Sequence, residues 1–127
     1  MQIATHQGID AALCGSAVEL EPGRSRVRLV TTGCMKADDS GLVHGGFVFG
    51  LADYAAMLAV NQPTVVLGAA ECRFLKPVRA GQELEAVAVL EPVQDRRHFV
   101  SVDVLLDGEP VFTGRFTCFV PAKHVLG

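Results

Sequence analysis

The sequence predicts one α+β domain: a curved antiparallel sheet of five to six strands wrapped around one long central helix. Three observations point there. Residues 47–61, FVFGLADYAAMLAVN, are apolar almost all round and long enough to prefer helix over strand. The stretches on either side alternate apolar with polar residues at period two, as half-buried strands do. Finally, 127 residues, 50% of them hydrophobic and 20% charged, suffice for one core and exclude a disordered chain. A helix that is apolar all round must be covered all round, so the sheet has to curl about it.

Residues 1–13 read as a short helix or an arm. Ala17 to Leu20 reads as a short strand, and Glu21-Pro-Gly-Arg24 as a turn. Arg26-Val27-Arg28-Leu29-Val30-Thr31 is the clearest period-two strand. Residues 33–43, with Gly33, Asp38, Asp39, Ser40 and Gly41, read as a loop. The helix follows, stopped by Asn61-Gln62-Pro63. Val65 to Leu75 is a β-rich run closed by Pro77, and Ala80-Gly81-Gln82 turns the chain again. In Glu83–Val93, Leu84, Ala86, Ala88 and Leu90 alternate with Glu83, Glu85, Val87 and Val89, and Pro92 makes the far end an edge or a bend. Gln94-Asp95-Arg96 turns into the strand Arg97–Leu106. Asp107-Gly108 is a strong two-residue hairpin signal, and Glu109–Val120 returns as the last strand. The expected order is two strands, the helix, then a four-stranded meander, all in a single domain over 1–127.

Composition removes several functions. The formal charge of −3, from 11 basic and 14 acidic residues, argues against a general nucleic-acid binder. With no Trp and one Tyr there is no platform for stacking single strands. No apolar run reaches the ~18 residues that span a bilayer, so no membrane association is expected. The start, MQIATHQGIDAAL, has no basic residues ahead of an apolar stretch, so no secretory signal is expected. Cys14, Cys34, Cys72 and Cys118 are scattered, with no CxxC pair and no Cys/His metal spacing. They read as the reduced thiols of a cytoplasmic protein, with no bound metal.

One segment carries chemistry: His44-Gly45-Gly46-Phe47-Val48-Phe49-Gly50-Leu51-Ala52-Asp53. The paired glycines come just before the helix and let a ligand or another chain approach the backbone. The first amides of a helix have no internal partner and sit at the positive end of its dipole. They suit a developing oxyanion, although a glycine-rich capping turn would look the same. Asp53 is the second oddity, a carboxylate in the middle of an apolar helix, costly unless bonded, paired or neutralised. It is either a structural anchor or a tuned catalytic group. Gly45 and Asp53 lie eight residues apart, about 12 Å along a helix axis. They cannot serve one carbonyl from one helix. If both act, two helices must cross a twofold axis, and the site belongs to a dimer.

At these residues the sequence resembles the hotdog-fold acyl-CoA thioesterases, and within them the phenylacetate-pathway (PaaI-like) group. The matching blocks are His44-Gly45-Gly46 with Leu51-Ala52-Asp53 and Asn61, then Phe74-Leu75-Lys76-Pro77-Val78 with Arg79-Ala80-Gly81. The resemblance implies hydrolysis of an acyl-CoA or acyl-carrier thioester to free acid and thiol. It implies two subunits pairing sheets edge to edge, often again into a tetramer. It places the Gly45 amide on the thioester carbonyl and makes Asp53 of the partner subunit the general base or the nucleophile. His44 would orient the loop or contact the thioester. Gly46, Phe47, Tyr54 and Met57 would line the acyl pocket. Lys76 and Arg79 would meet the phosphates of coenzyme A, which is substrate, with no further cofactor. The basic cluster Arg96, Arg97 and His98 marks another strand start, and His6 and His124 read as bystanders.

Two places depart from the pattern, one of them Leu42-Val43 before His44, which replaces the more polar lead-in of some relatives. Some relatives place a hydroxyl one turn after the helix carboxylate, where this chain has Met57. Thr64 or Ser40 would have to replace it. Two other readings compete. One is an acyl-CoA-binding module without turnover, against which Asp53 speaks. The other is a hydratase, for which Asp39 and His44 have a suitable spacing but Ser40-Gly41-Leu42-Val43 lacks the expected Asn-Pro pair.

Overall fold

A computed structural model of the chain describes residues 1–127. A leading segment, residues 1–10, runs into a single helical turn, α1 (Ala11–Cys14), where the Asp10 carboxylate accepts from the Ala12 amide. Strands β1 (Ser16–Glu21) and β2 (Arg24–Val30) follow, then a 3-10 turn at Gly33–Met35 and the long helix α2 (Gly45–Val60). Strands β3 (Val66–Phe74), β4 (Glu83–Leu90), β5 (Arg97–Leu106) and β6 (Glu109–Phe119) complete the chain. The six strands form one antiparallel sheet in the order β1-β2-β4-β5-β6-β3, with α2 on one face. This is the hotdog arrangement.

The strands fall where the alternation placed them. In β4, Leu84, Ala86 and Ala88 are fully buried and point at the helix. The strand stops at Leu90, ahead of Pro92, which has no amide hydrogen to offer a ladder. Asp107 and Gly108 both take positive φ, 50° and 82°, the two-residue turn whose twist matches the strands it joins. Small residues on both surfaces let helix and sheet approach: Ala52, Ala55 and Ala59 meet a core of Val27, Leu29, Val100, Val102 and Val104. Toward the far edge the core turns aromatic. Phe49 of α2 packs on Phe112 and Phe116 of β6, and Phe74 stands edge-on to Phe112, ring centres 5.1 Å apart.

Three expectations are corrected. Strand β3 is no part of the meander: β4, β5 and β6 run consecutively, β4 pairs with β2, and β3 joins the far side of β6. It is thereby an edge strand, with one row of amides and carbonyls unpaired. The helix begins earlier than expected, and Gly45 and Gly46 are its first two residues. Their flexibility costs little there, because the first amides of a helix lack partners anyway. Third, α2 is not covered all round. Gly46 is exposed, and Phe49, Gly50 and Asp53 are only partly buried.

Candidate active site

The strip of α2 facing away from the sheet carries the site. At 3.6 residues per turn, Gly46, Gly50, Asp53 and Met57 share this side, opposite Leu51, Ala55 and Leu58. The strip is open at the start of the helix and closed at its end, where Met57 is wholly buried. The leading segment also docks on this domain. Ile3, Ile9 and Cys14 pack on the core, and α1 lies against α2.

His44 stands at the cap position, its own amide bonded to the Met35 carbonyl at 2.8 Å. Its ring makes no capping bond and instead folds over Gly46, where a Cβ would come within 3.1 Å of Cδ2. The His44 carbonyl accepts from Phe47, and the amides of Gly45 and Gly46 have no acceptor in the chain. Those two N–H groups, at the positive end of a sixteen-residue helix, make a place for a negative oxygen. A side chain at Gly45 would press on the Phe74 ring, 3.1 Å away, so the backbone there meets β3 closely.

Two turns on, Asp53 is partly buried and its Oδ1 is fully buried without a hydrogen-bond partner. No cation faces it. Loss of water alone pushes its pKa up to about 6. Its charge is felt by two thiols. Burial pushes Cys118 on β6 up to about 12, with the Asp53 carboxylate adding to the shift. Cys14 at the end of α1 is raised by burial first, then by Asp53 and Asp10. A carboxylate titrating near 6 is still ionised at neutral pH and is a stronger base than an ordinary aspartate. Gly45 and Asp53 sit on one unbroken helix, so the separation of about 12 Å stands.

The other expected residues are dispersed. Phe47 is partly buried and edge-on to His44, ring centres 6.3 Å apart. Tyr54 lies about a quarter turn round the helix from Asp53, where it lines a recess of about 390 Å³ with Ile3, His6, Ile9 and Ala17. Met57 is in the core, so in the single chain neither it nor Tyr54 looks onto the open strip. Lys76 is taken up by Glu109 at 2.6 Å. Arg79 makes no ion pair and edges a separate recess of about 270 Å³ with Ser40, Leu42, Gln82 and Leu106. Neither offered hydroxyl is free: Thr64 donates to the Pro121 carbonyl and Ser40 to the Asp38 carboxylate. Arg96 and Arg97 are exposed. His98 lies on the inner face of β5 opposite Cys118, its Nδ1 buried and unpartnered. No three His, Cys, Asp or Glu side chains converge to hold a metal ion, and no helix is long and apolar enough to cross a membrane.

Sequence reasoning missed the contact that holds the leading segment to the end of α2. The signal was Asn61. It takes the left-handed conformation that ends α2, and its side chain reaches into the leading segment. Nothing local in residues 1–10 announces that contact.

Comparisons with known proteins agree with this fold. The family model of the thioesterase superfamily matches residues 40–113, the stretch from the loop before α2 into β6. An uncharacterized protein from Pyrococcus horikoshii has the same structure at a TM-score of 0.98, with 48% identity over 100% of this chain and 98% of its own. The phenylacetic acid degradation protein PaaI of Thermus thermophilus matches at a TM-score of 0.78, with 30% identity over 87% of this chain and 96% of its own. A protein of Aquifex aeolicus named methylthioribose-1-phosphate isomerase is 47% identical over 91% of this chain. The chain spans only 25% of that protein's length, and 54% of the transcription factor FapR from Caldanaerobacter subterraneus, to which it is 25% identical.

Proposed function

The chain belongs to the thioesterase superfamily, in the hotdog fold and similar to its PaaI-like group, and from that premise we propose that it hydrolyses an acyl-CoA thioester. The observation that carries the reading is Asp53. A carboxylate with a buried, unpartnered oxygen and no cation nearby is expensive, and it lies on the same helix as two amides with no acceptor. Each half of this arrangement needs the other, and 12 Å of helix keeps them apart within one chain. Two copies related by a twofold axis bring the Gly45 amide of one against the Asp53 of the other. The free edge of β3, with Phe74 55% exposed beside it, supports a partner that continues the sheet. The working unit is a homodimer, or a dimer of dimers.

In the reaction the thioester oxygen rests on the Gly45 amide and takes up negative charge as the carbonyl carbon becomes tetrahedral. On one route Asp53 takes a proton from water as the water attacks. On the other Asp53 attacks directly, forming a mixed anhydride that water then opens. Either way the C–S bond breaks, the thiol leaves, and the products are a free acid and coenzyme A. Arg79, unpaired and exposed, is the better candidate for the coenzyme A phosphates, since Lys76 is already neutralised. Four free thiols suit a reducing, cytoplasmic setting.

The test is thiol release from a panel of short, long and aromatic acyl-CoAs. Turnover of at least one class, lost in Asp53→Asn, is expected. Release from none of them, with tight binding of one, would favour the second reading, a ligand-binding module, which the similarity to a transcription factor supports.

A further inference from the structure

We propose that the recess beside Tyr54 is a binding site for a small uncharged molecule with an apolar body and a single oxygen function, of which a phenol is the type. The site is separate from the open strip of α2 and does not depend on thioester hydrolysis. Apart from Tyr54, its lining comes from residues 3–17, outside the stretch that the superfamily model matches.

The recess lies between the leading segment, α1, β1 and α2. Ile3, Ile9, Ala11 and Ala17 give it apolar sides, and His6 and Tyr54 bring polar groups to it. At about 390 Å³ it has the size of a small-molecule site. Tyr54 is 6% exposed. Its hydroxyl bonds to no group of the chain, yet it is not among the unpartnered atoms sealed from solvent, which are Asp53 Oδ1 and His98 Nδ1. The opening left to it is the recess that Tyr54 lines. A buried tyrosine ordinarily finds its hydroxyl a partner, and here the recess is where that partner has to come from.

His6 supplies the second polar group. Its Nδ1 is tied to the Thr5 hydroxyl at 2.8 Å, and Thr5 is itself buried. Nε2 is left with one hydrogen-bonding function in either tautomer. Residue 6 takes the left-handed conformation at φ 53°, a strained backbone that persists where its surroundings hold it. They do hold it. The Ile9 amide donates to the His6 carbonyl at 3.2 Å, and the Gln7 side chain donates to the Ile3 carbonyl at 3.0 Å. From the end of α2, Asn61 accepts from the Ala4 amide at 2.8 Å and donates to the Gln2 carbonyl at 2.9 Å. Gly15 lets the chain pass close to β2, since a Cβ there would lie 2.7 Å from the Arg28 carbonyl oxygen. The wall is therefore formed in advance of any ligand, which lowers the cost of binding one.

Charge sets the class of ligand. No Asp, Glu, Lys or Arg lines the recess. Burial lowers the pKa of the His6 imidazole, so the ring is neutral at pH 7.5. An ionised ligand would give up water there with no counter-charge to replace it. The phosphates of coenzyme A and a free carboxylate are unsuited on that ground. An apolar body against Ile3 and Ile9, with one oxygen for Tyr54 and His6, suits the lining.

The test follows the amide proton and nitrogen shifts of the full chain at pH 7.5 as p-cresol is added. Like tyrosine, p-cresol is uncharged at that pH. The charged control of similar shape is 4-methylbenzoate. Saturable shifts over residues 3–17 and 53–55 are expected with p-cresol, at a Kd of about 1 mM or tighter. The benzoate should bind at least about tenfold more weakly. Tyr54→Phe keeps the ring, removes the hydroxyl and should weaken p-cresol by about threefold to tenfold. Ala17→Leu should fill the recess and abolish binding. If that change unsettles β1, Ala11→Leu narrows the recess from an exposed position on α1. Shifts that never saturate, or that centre on Gly46 and Gly50, would overturn the proposal. So would benzoate binding as tight as that of p-cresol, or an affinity that none of the three substitutions changes. Absence of thioester hydrolysis would sink the functional reading and leave this result standing.

Discussion

Replacing Asp53 by Asn should make the protein more stable and inactive at once. The carboxylate titrates at about 6 in the fold and near 3.9 in an unfolded chain. Its folded pKa is raised, so the folded chain holds the proton more tightly than the unfolded one. At pH 7.5 the group is ionised in both states, and the fold bears the cost of a charge held away from water. Roughly two pKa units correspond to about 3 kcal/mol, reduced to about 2 kcal/mol because Asp53 keeps some solvent. That cost shrinks as the pH falls through 6 and is gone below about 4, where both states carry the proton. The amide of Asn has nearly the same shape and no charge. Urea unfolding at pH 7.5 should therefore show the variant more stable by about 2 kcal/mol, a midpoint higher by about 1 M for a domain of this size. At pH 4 the two curves should coincide. Turnover should fall at least about 100-fold at every pH. A variant no more stable at pH 7.5, or one whose advantage persists at pH 4, would refute the account of Asp53 as a carboxylate strained by desolvation.

Further consequences follow from other parts of the fold. Gly114→Ala would put a Cβ 2.9 Å from the Phe116 ring and 3.3 Å from the Glu71 carbonyl oxygen. It should cost about 1–3 kcal/mol by overpacking, read as a lower melting temperature. Ala70→Arg, on the exposed inner face of β3, should split the dimer in sedimentation and abolish turnover with it; an active monomer would rule out a shared site. Lys76→Ala should leave KM for an acyl-CoA within about twofold, because Glu109 already neutralises the lysine. Arg79→Ala should raise KM several-fold, and equal effects of the two changes would contradict the assignment of the phosphate contact.

Much of the fold was legible because it is local. Period-two alternation and turn residues located β2, β5 and β6 to within two residues and β4 to within three, since burying one face of a strand writes itself directly into the chain. Asp107-Gly108 declared its hairpin because positive φ at both positions restricts which residues fit. The position of β3 was not legible. Which strand lies beside which is settled by pairing between segments far apart in the chain, Val66 with Phe119 and Phe74 with Phe112, and no local pattern in β3 names its neighbour. The site was legible in part. Asp53 stood out as the lone carboxylate in an apolar helix, and the paired glycines marked the helix start. Composition made the helix look buried on every side, whereas the open strip at Gly46 and Gly50 exists because the sheet curls over only one side of α2. The hydroxyls of Thr64 and Ser40 looked available until the fold supplied the Pro121 carbonyl and Asp38 as their partners.

By itself, then, the sequence determined the elements, the family and the residues with chemical potential, because hydrophobic period, turn residues and a misplaced charge are local properties of the chain. Only the tertiary structure decided how that charge behaves. Asp53 is raised to about 6 by the burial that the folded chain imposes on it. Desolvation depends on every neighbour at once, and neighbours are chosen by folding rather than by order along the chain.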